Sequence, residues 1–256
     1  MSQPQHLFIL TGGSRGMGLA MAQQLLQHPG NTLISLARSS QDALTAAAKA
    51  SGATLEQWQL DLAQGEQAVA RLKDWLAAQA PGRFASATLI NNAGVIPRIA
   101  PLSDSDAADL ANALRVGLES PMQLTAAFLG ATEGWTGAAR KVLNISSGLG
   151  RKAMASQAAY CAAKAGMDHF TRCVALDEAH KPHGAKVCSL APGVIDTDMQ
   201  VQLRGAAAEA FPDRQNFANL KTGGQLTSPA DAATRVLAWL DRADFGTNPV
   251  ADVREA

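Results

Sequence analysis

The feature that most constrains this chain is a repeated pairing of a short, near-continuous apolar run with a longer amphipathic stretch. The apolar runs fall at residues 6–10, 31–37, 54–60, 87–90, 141–145 and 185–190, with a weaker one at 249–253. A strand that is apolar on both faces must be covered on both faces, which is the condition of a parallel sheet packed between helices. The stretches between the runs, at 18–27, 42–50, 64–79, 104–129, 155–179 and 230–241, are rich in Ala and Leu. They read as helices, and the alternation predicts an α/β fold, a doubly wound parallel sheet with helices on both faces.

A chain of 256 residues suits one domain of this type, so residues 1–256 are expected to form a single catalytic domain. The rhythm breaks at about 199–227, where Gly205, Pro212, Gly223 and Gly224 interrupt it. An insertion of that length predicts a lid over a ligand site. The 22 basic and 22 acidic residues cancel, and aromatics are few, which argues against a nucleic-acid partner. The three cysteines, Cys161, Cys173 and Cys188, give neither a disulfide framework nor metal-ligand spacing, and are expected to be buried thiols. No metal site is expected among the histidines. The first residues lack a basic segment, and no stretch approaches membrane-spanning length, so the expectation is a cytoplasmic protein without a membrane partner.

The first run ends in Thr11-Gly12-Gly13-Ser14-Arg15-Gly16-Met17-Gly18, immediately before a helical stretch. Glycines there let backbone approach a pyrophosphate, and the helix N-terminus supplies N–H groups and positive potential. Gly12, Ser14, Arg15, Gly16, Met17 and Gly18 are therefore expected to cradle a dinucleotide. A site for the non-phosphorylated cofactor usually places a carboxylate after the second strand to hold a ribose hydroxyl. Here Ala37 stands at that point and Arg38-Ser39 follows. Arg15 and Arg38 suit a 2′-phosphate, since guanidinium forks match its oxygens. NADP(H) is the expected cofactor, with Ser39 beside Arg38. After the third strand, Asp61 and Leu62 are expected near the adenine, although an Asp there also serves as a helix N-cap.

Tyr160 and Lys164 are four apart in a helical stretch and share one face. Ser147 follows the fifth strand, at the end of the sheet where open α/β folds bind ligands. The three suit proton transfer to a carbonyl oxygen. An ammonium about 4 Å from the phenol would favour phenolate by roughly 4 kcal/mol before desolvation is subtracted, on the order of three pKa units at most. Ser147 would hold the substrate oxygen.

Together these residues resemble the short-chain dehydrogenase/reductase family. The likeness rests on Thr11–Gly18, on Asn91-Asn92-Ala93-Gly94, on Ser147, Tyr160 and Lys164, and on Pro192-Gly193 with Thr197. It implies a Rossmann-type sheet of about seven strands. It implies that Asn92, Ala93 and Gly94 line the adenosine side of the cofactor, that Pro192, Gly193, Val194 and Thr197 hold the nicotinamide end, and that Lys164 holds the nicotinamide ribose. It also implies a homodimer or homotetramer. The tail, through residues 196–200, 224–229 and 250–253, is similar to the sepiapterin reductase and benzil reductase branch, which implies NADPH-dependent reduction of vicinal dicarbonyls. Ile96, Leu149, Met154, Val194 and Met199 are the expected pocket walls for a small carbonyl substrate. Asp252 resembles the place of a polar substrate anchor in pterin-reducing relatives, but is read as a surface carboxylate.

One position departs from the pattern. The family carries an asparagine behind the lysine, within a V-N-L-like stretch, and here Val116-Gly117-Leu118 puts Gly117 in its place. The space left is expected to admit a water that keeps the proton relay running. Asn112, five residues earlier, is not expected to replace it. Two other readings stand beside the reductase: a catalytically weak dinucleotide-binding sensor or subunit, and an NAD-linked secondary alcohol dehydrogenase.

Overall fold

The computed structural model describes residues 4–80 and 82–255. The reading of the leading residues 1–3, and the domain boundary at 256, lie outside the described residues. Among the described residues, seven strands form one sheet: β1 (His6–Thr11), β2 (Asn31–Ala37), β3 (Thr54–Gln59), β4 (Ser86–Asn91), β5 (Ala139–Ile145), β6 (Lys186–Ala191) and β7 (Val250–Asp252). Their order is β3-β2-β1-β4-β5-β6-β7. Every adjacent pair runs parallel. The chain therefore turns outward from β1 in one direction and from β4 in the other, which opens a crevice at their C-terminal ends.

Helices α1 (Gly16–Leu25), α2 (Asp42–Ser51) and α9 (Pro229–Leu240) cover one face. Met21, Leu44 and Val236 pack there with Leu10, Leu33 and Leu143 of the sheet. On the other face lie α3 (Gly65–Ala77) and α5 (Ser120–Thr132), where Leu72, Leu76, Leu124 and Phe128 meet Leu7, Ile9, Ile34 and Val142. All seven residues of β2 are buried, as expected of a strand covered on both sides. In α3 the buried positions Ala68, Leu72 and Leu76 are four apart, the repeat of one helix face. Ser228 accepts a hydrogen bond from the Asp231 amide at 3.1 Å, and Pro229 starts α9, a strong local start signal.

The helix expected at 104–129 is not continuous. A 3-10 turn precedes α4 (Ala107–Leu114), a π-helical segment spans Arg115–Glu119, and α5 follows. Asp106 caps α4 by accepting from the amides of Ala108 and Asp109 at 2.9 and 3.0 Å, which sets the helix start later than the apolar pattern suggested. The stretch expected from 155 is α6 (Ala158–Ala179). The insertion at 199–227 contains two helices, α7 (Asp198–Gly205) and α8 (Arg214–Thr222). It has its own core of Leu203, Phe211 and Phe217, packed against Ile96, Met154 and Met199. Cys188 is buried and desolvation pushes its thiol up to about 11. Cys173 is exposed and Cys161 half-buried, however, contrary to the expectation of three buried thiols.

Candidate active site

The crevice at the β1–β4 switch opens into a cavity of about 940 Å³. The loop from β1 to α1 forms one wall. Gly12 has φ +74°, a left-handed conformation, and a Cβ on Gly18 would run into the Gly12 carbonyl oxygen. The loop is clamped by β4: the Thr11 hydroxyl accepts from the amides of Asn92 and Ala93 at 2.9 and 3.0 Å, and Asn92 Nδ2 donates to the Thr11 carbonyl at 2.9 Å. The tight, glycine-lined loop leading into a helix N-terminus fits the diphosphate of a dinucleotide. Arg15 and Arg38 both line the cavity. Arg15 reaches across its mouth to Asp198, at 3.5 Å, in an exposed pair worth about 0–1 kcal/mol.

Ser147 follows β5 and its hydroxyl accepts from the Leu149 amide at 3.1 Å. Tyr160 and Lys164 rise from the first turns of α6, both buried. Lys164 Nζ donates to the Ile145 carbonyl at 2.7 Å and lies 5.7 Å from the Tyr160 ring centre. Burial lowers the Lys164 ammonium to about 8, with Asp168 opposing. The Tyr160 phenol is shifted upward by burial, opposed by its hydrogen bond with Ser147. The desolvation left out of the sequence argument is thus the largest influence on Tyr160 in the protein alone, where burial disfavours the charged form. The phenol stays protonated near neutrality, the form that donates a proton.

Asp168, also buried, holds this corner together. Its carboxylate accepts from Ser146 Oγ at 2.6 Å, Ser189 Oγ at 2.7 Å and Arg151 Nε at 3.1 Å. Arg151 donates onward to the Ala251 carbonyl at 2.9 Å. The ends of β5, β6 and β7 are thereby tied to α6, one turn beyond Lys164. A second buried chain runs from Asn91 Nδ2 to Asn144 Oδ1 at 2.8 Å, and from Asn144 Nδ2 to Thr171 Oγ1 at 2.9 Å.

The expected residues meet with one exception. Ser147, Tyr160 and Lys164 share the cavity with Gly12, Ser14, Gly16, Met17 and Gly18. Leu62, Asn92, Ala93 and Gly94 also line it, as do Pro192, Gly193, Val194 and Thr197. So do the pocket residues Ile96, Leu149, Met154 and Met199. Ser39 is exposed and outside that lining. Asp61 lines the cavity and also caps the next 3-10 turn by accepting from the Ala63 amide at 2.9 Å. Asp252 is not a surface carboxylate: it is buried, lines the cavity, and is gripped at 2.8 and 2.6 Å by Arg254. That fork holds its carboxyl below the usual range. Asn112, set aside in the sequence as a stand-in for the family's asparagine, also lines the cavity, as do Gln157, Gln200 and Arg204, which were not expected as site residues. The spacing of Gln157 from Tyr160 was the available signal for one of them. Gly117 is buried in the π segment, where a Cβ would lie 3.1 Å from that of Ala163. Among the described residues no cluster of His, Cys, Asp or Glu is arranged to hold a metal. No helix there is long and apolar enough to cross a membrane.

A parallel sheet with a glycine-lined cradle at its switch point, facing a buried Tyr-Lys pair and a serine, defines a nicotinamide-dependent oxidoreductase. The profile of the short chain dehydrogenase family matches residues 6–208. The chain is 34% identical over 247 residues to "Benzil reductase ((S)-benzoin forming)" of Bacillus cereus, covering 96% of this chain and 98% of that protein. It is 31% identical over 255 residues to sepiapterin reductase of Rattus norvegicus, covering 95% and 94% of the two chains. The crystal structure of the KRED1-Pglu enzyme superposes with a TM-score of 0.80 at 26% identity, covering 96% of this chain and 100% of that one. The chain belongs to the short-chain dehydrogenase family, whose members bind a nicotinamide dinucleotide and act on carbonyl and alcohol groups of small molecules.

Proposed function

We propose that this protein is an NADPH-dependent carbonyl reductase acting on ketones and vicinal diketones, with Tyr160 as proton donor. The observation that carries this reading is that Ser147, Tyr160 and Lys164 line the same cavity as the glycine loop. A nicotinamide dinucleotide bound there supplies the hydride. Tyr160 donates its phenolic proton to the carbonyl oxygen as the carbon is reduced, and the Ser147 hydroxyl orients that oxygen. Lys164 holds the nicotinamide ribose and carries the proton that recharges Tyr160.

Preference for the phosphorylated cofactor is supported by Ala37 at the end of β2, where a carboxylate would repel a 2′-phosphate, and by Arg15 and Arg38 beside it. The full-length likeness to the two reductases supports a dicarbonyl substrate. Apolar Leu114, Met122 and Leu176, exposed on α4, α5 and α6, supply a surface for a homodimer or homotetramer. Three unpaired thiols agree with a reducing cytoplasmic setting. The test is loss of reduced cofactor by purified protein, with NADPH and NADH in parallel, over simple ketones and 1,2-diketones. Turnover of a diketone with NADPH preferred supports the reading. Cofactor binding without turnover of any carbonyl compound refutes it.

A further inference from the structure

Next to Tyr160 stands a side chain that the reaction above does not use. Gln157 is 1% exposed and lines the cavity, yet neither its Nε2 nor its Oε1 has a hydrogen-bond partner. An unmet buried polar group is costly, and each one in a folded protein calls for an explanation. Helix capping does not supply it: Gln157 occupies the N-cap position of α6, but its side chain makes no cap bond. Among the described residues, six buried side-chain nitrogen or oxygen atoms lack partners, and four of them belong to Gln157, Gln200 and Arg204 on the cavity wall. The backbone before Gln157 is also strained. Ser156 has φ +62°, and its hydroxyl donates to the Ala210 carbonyl in the loop between α7 and α8 at 2.5 Å. A non-glycine residue in that region is strained, and such strain gathers at ligand clamps.

We propose that Gln157 reads the second oxygen of a vicinal dicarbonyl substrate, a role that rests on the carbonyl-reductase reading. The carbonyl to be reduced lies against the Tyr160 and Ser147 hydroxyls. Gln157, at the N-cap of α6, stands three residues before Tyr160 and lines the same cavity. Nε2 and Oε1 are closed off from solvent, so in this role the Gln157 side chain turns toward the substrate and Nε2 donates to the adjacent oxygen of the 1,2-dicarbonyl. A simple ketone offers that amide nothing. Ile96, Met154 and Phe217 form the apolar wall for the groups flanking the dicarbonyl. A site built to hydrogen-bond a substrate group discriminates against an analogue lacking it more sharply than an apolar pocket can.

The test compares 1,2-diphenylethanedione with 1,2-diphenylethanone, which share a carbon skeleton and differ by one oxygen. Steady-state kinetics on wild type and Gln157→Leu give the ratio of kcat/KM for the diketone to that for the monoketone. The substitution is expected to lower this ratio about tenfold, chiefly through KM, as loss of one hydrogen bond of about 1.4 kcal/mol implies. Gln157→Glu keeps the side-chain size but replaces the donor with an acceptor; it is expected to lower the ratio as well, and supplies the comparison if the leucine variant does not fold. Equal losses on both compounds, or an unchanged ratio, overturn the role of Gln157 while leaving the reductase reading intact. Wild type that reduces neither compound nor any other carbonyl overturns both.

Discussion

Replacing Lys164 with methionine should abolish turnover and make the protein more stable at neutral pH. Lys164 is 4% exposed, and burial lowers its ammonium from 10.5 to about 8. A base whose folded-state pKa is depressed binds its proton more tightly in the unfolded chain. The charge therefore opposes folding below pH 8, and that opposition fades as pH rises from about 8 toward 10.5. The shift corresponds to about 3 kcal/mol near pH 7, declining to about 1 kcal/mol near pH 9.5. Methionine also gives up the amine's hydrogen bond to the Ile145 carbonyl, which returns about 1 kcal/mol. Net, Lys164→Met is expected to be about 2 kcal/mol more stable than wild type near pH 7 and about equal to it near pH 9.5. Urea unfolding of both cofactor-free proteins, followed by circular dichroism across this range, measures the difference. Other titrating groups largely cancel between the two. A variant no more stable at pH 7, or an advantage that does not shrink with pH, would refute the argument that a buried ammonium is being held against its solvation.

Further outcomes follow from the same geometry. Tyr160→Phe is expected to lower kcat about a hundredfold or more while leaving the dissociation constant for cofactor, read by fluorescence, within about threefold of wild type. Arg38→Ala should raise the NADPH dissociation constant about tenfold or more with little change for NADH, since a charge-assisted bond to phosphate is worth about 1.5–3 kcal/mol; parallel losses for both cofactors would count against a 2′-phosphate contact. Gly117→Asn brings a Cβ to 3.1 Å from that of Ala163, so a loss of about 1–3 kcal/mol in stability is expected from the tight contact. If water now does the work of the family's asparagine, its turnover should equal or exceed wild type; lower turnover at every pH would sink the water relay.

The sheet was legible because the central strands β1, β2 and β4 are mostly apolar and buried on both faces, which leaves little else for such runs to become; β3, TLEQWQ, is half polar and was placed by its position in the alternation. The glycine loop and the Tyr160–Lys164 spacing were equally open, since both depend on local geometry that a short sequence encodes. What failed was longer in range. Nothing in the composition of 104–129 announces a π segment at Arg115–Glu119, because an apolar, helix-forming stretch is compatible with either i→i+4 or i→i+5 hydrogen bonding and the choice is made by what packs around it. Asp252 was misread because its burial comes from the long-range pairing of β7 with β6, and its charge is met by Arg254 two residues on. Gln157 passed unnoticed because a glutamine before a helix is unremarkable until its environment is known to lack a partner.

These cases share a physical cause. A sequence displays choices that lower free energy locally, and the site contains choices that raise it. Lys164 holds a charge away from water, Ser156 sits in left-handed backbone, and Gln157 and Gln200 bury polar atoms with no partner. Each is tolerable because rigid neighbours leave no cheaper arrangement. Asp168 ties three strands to α6, and the Asn91–Asn144–Thr171 chain locks β4, β5 and α6 together. Satisfied buried networks of this kind stiffen their surroundings, and stiffness is what lets an unfavourable side chain persist. The supporting residues are thus as much a part of the candidate site as Ser147, Tyr160 and Lys164, and relief of the strain they hold is expected to stabilise the protein at the expense of activity.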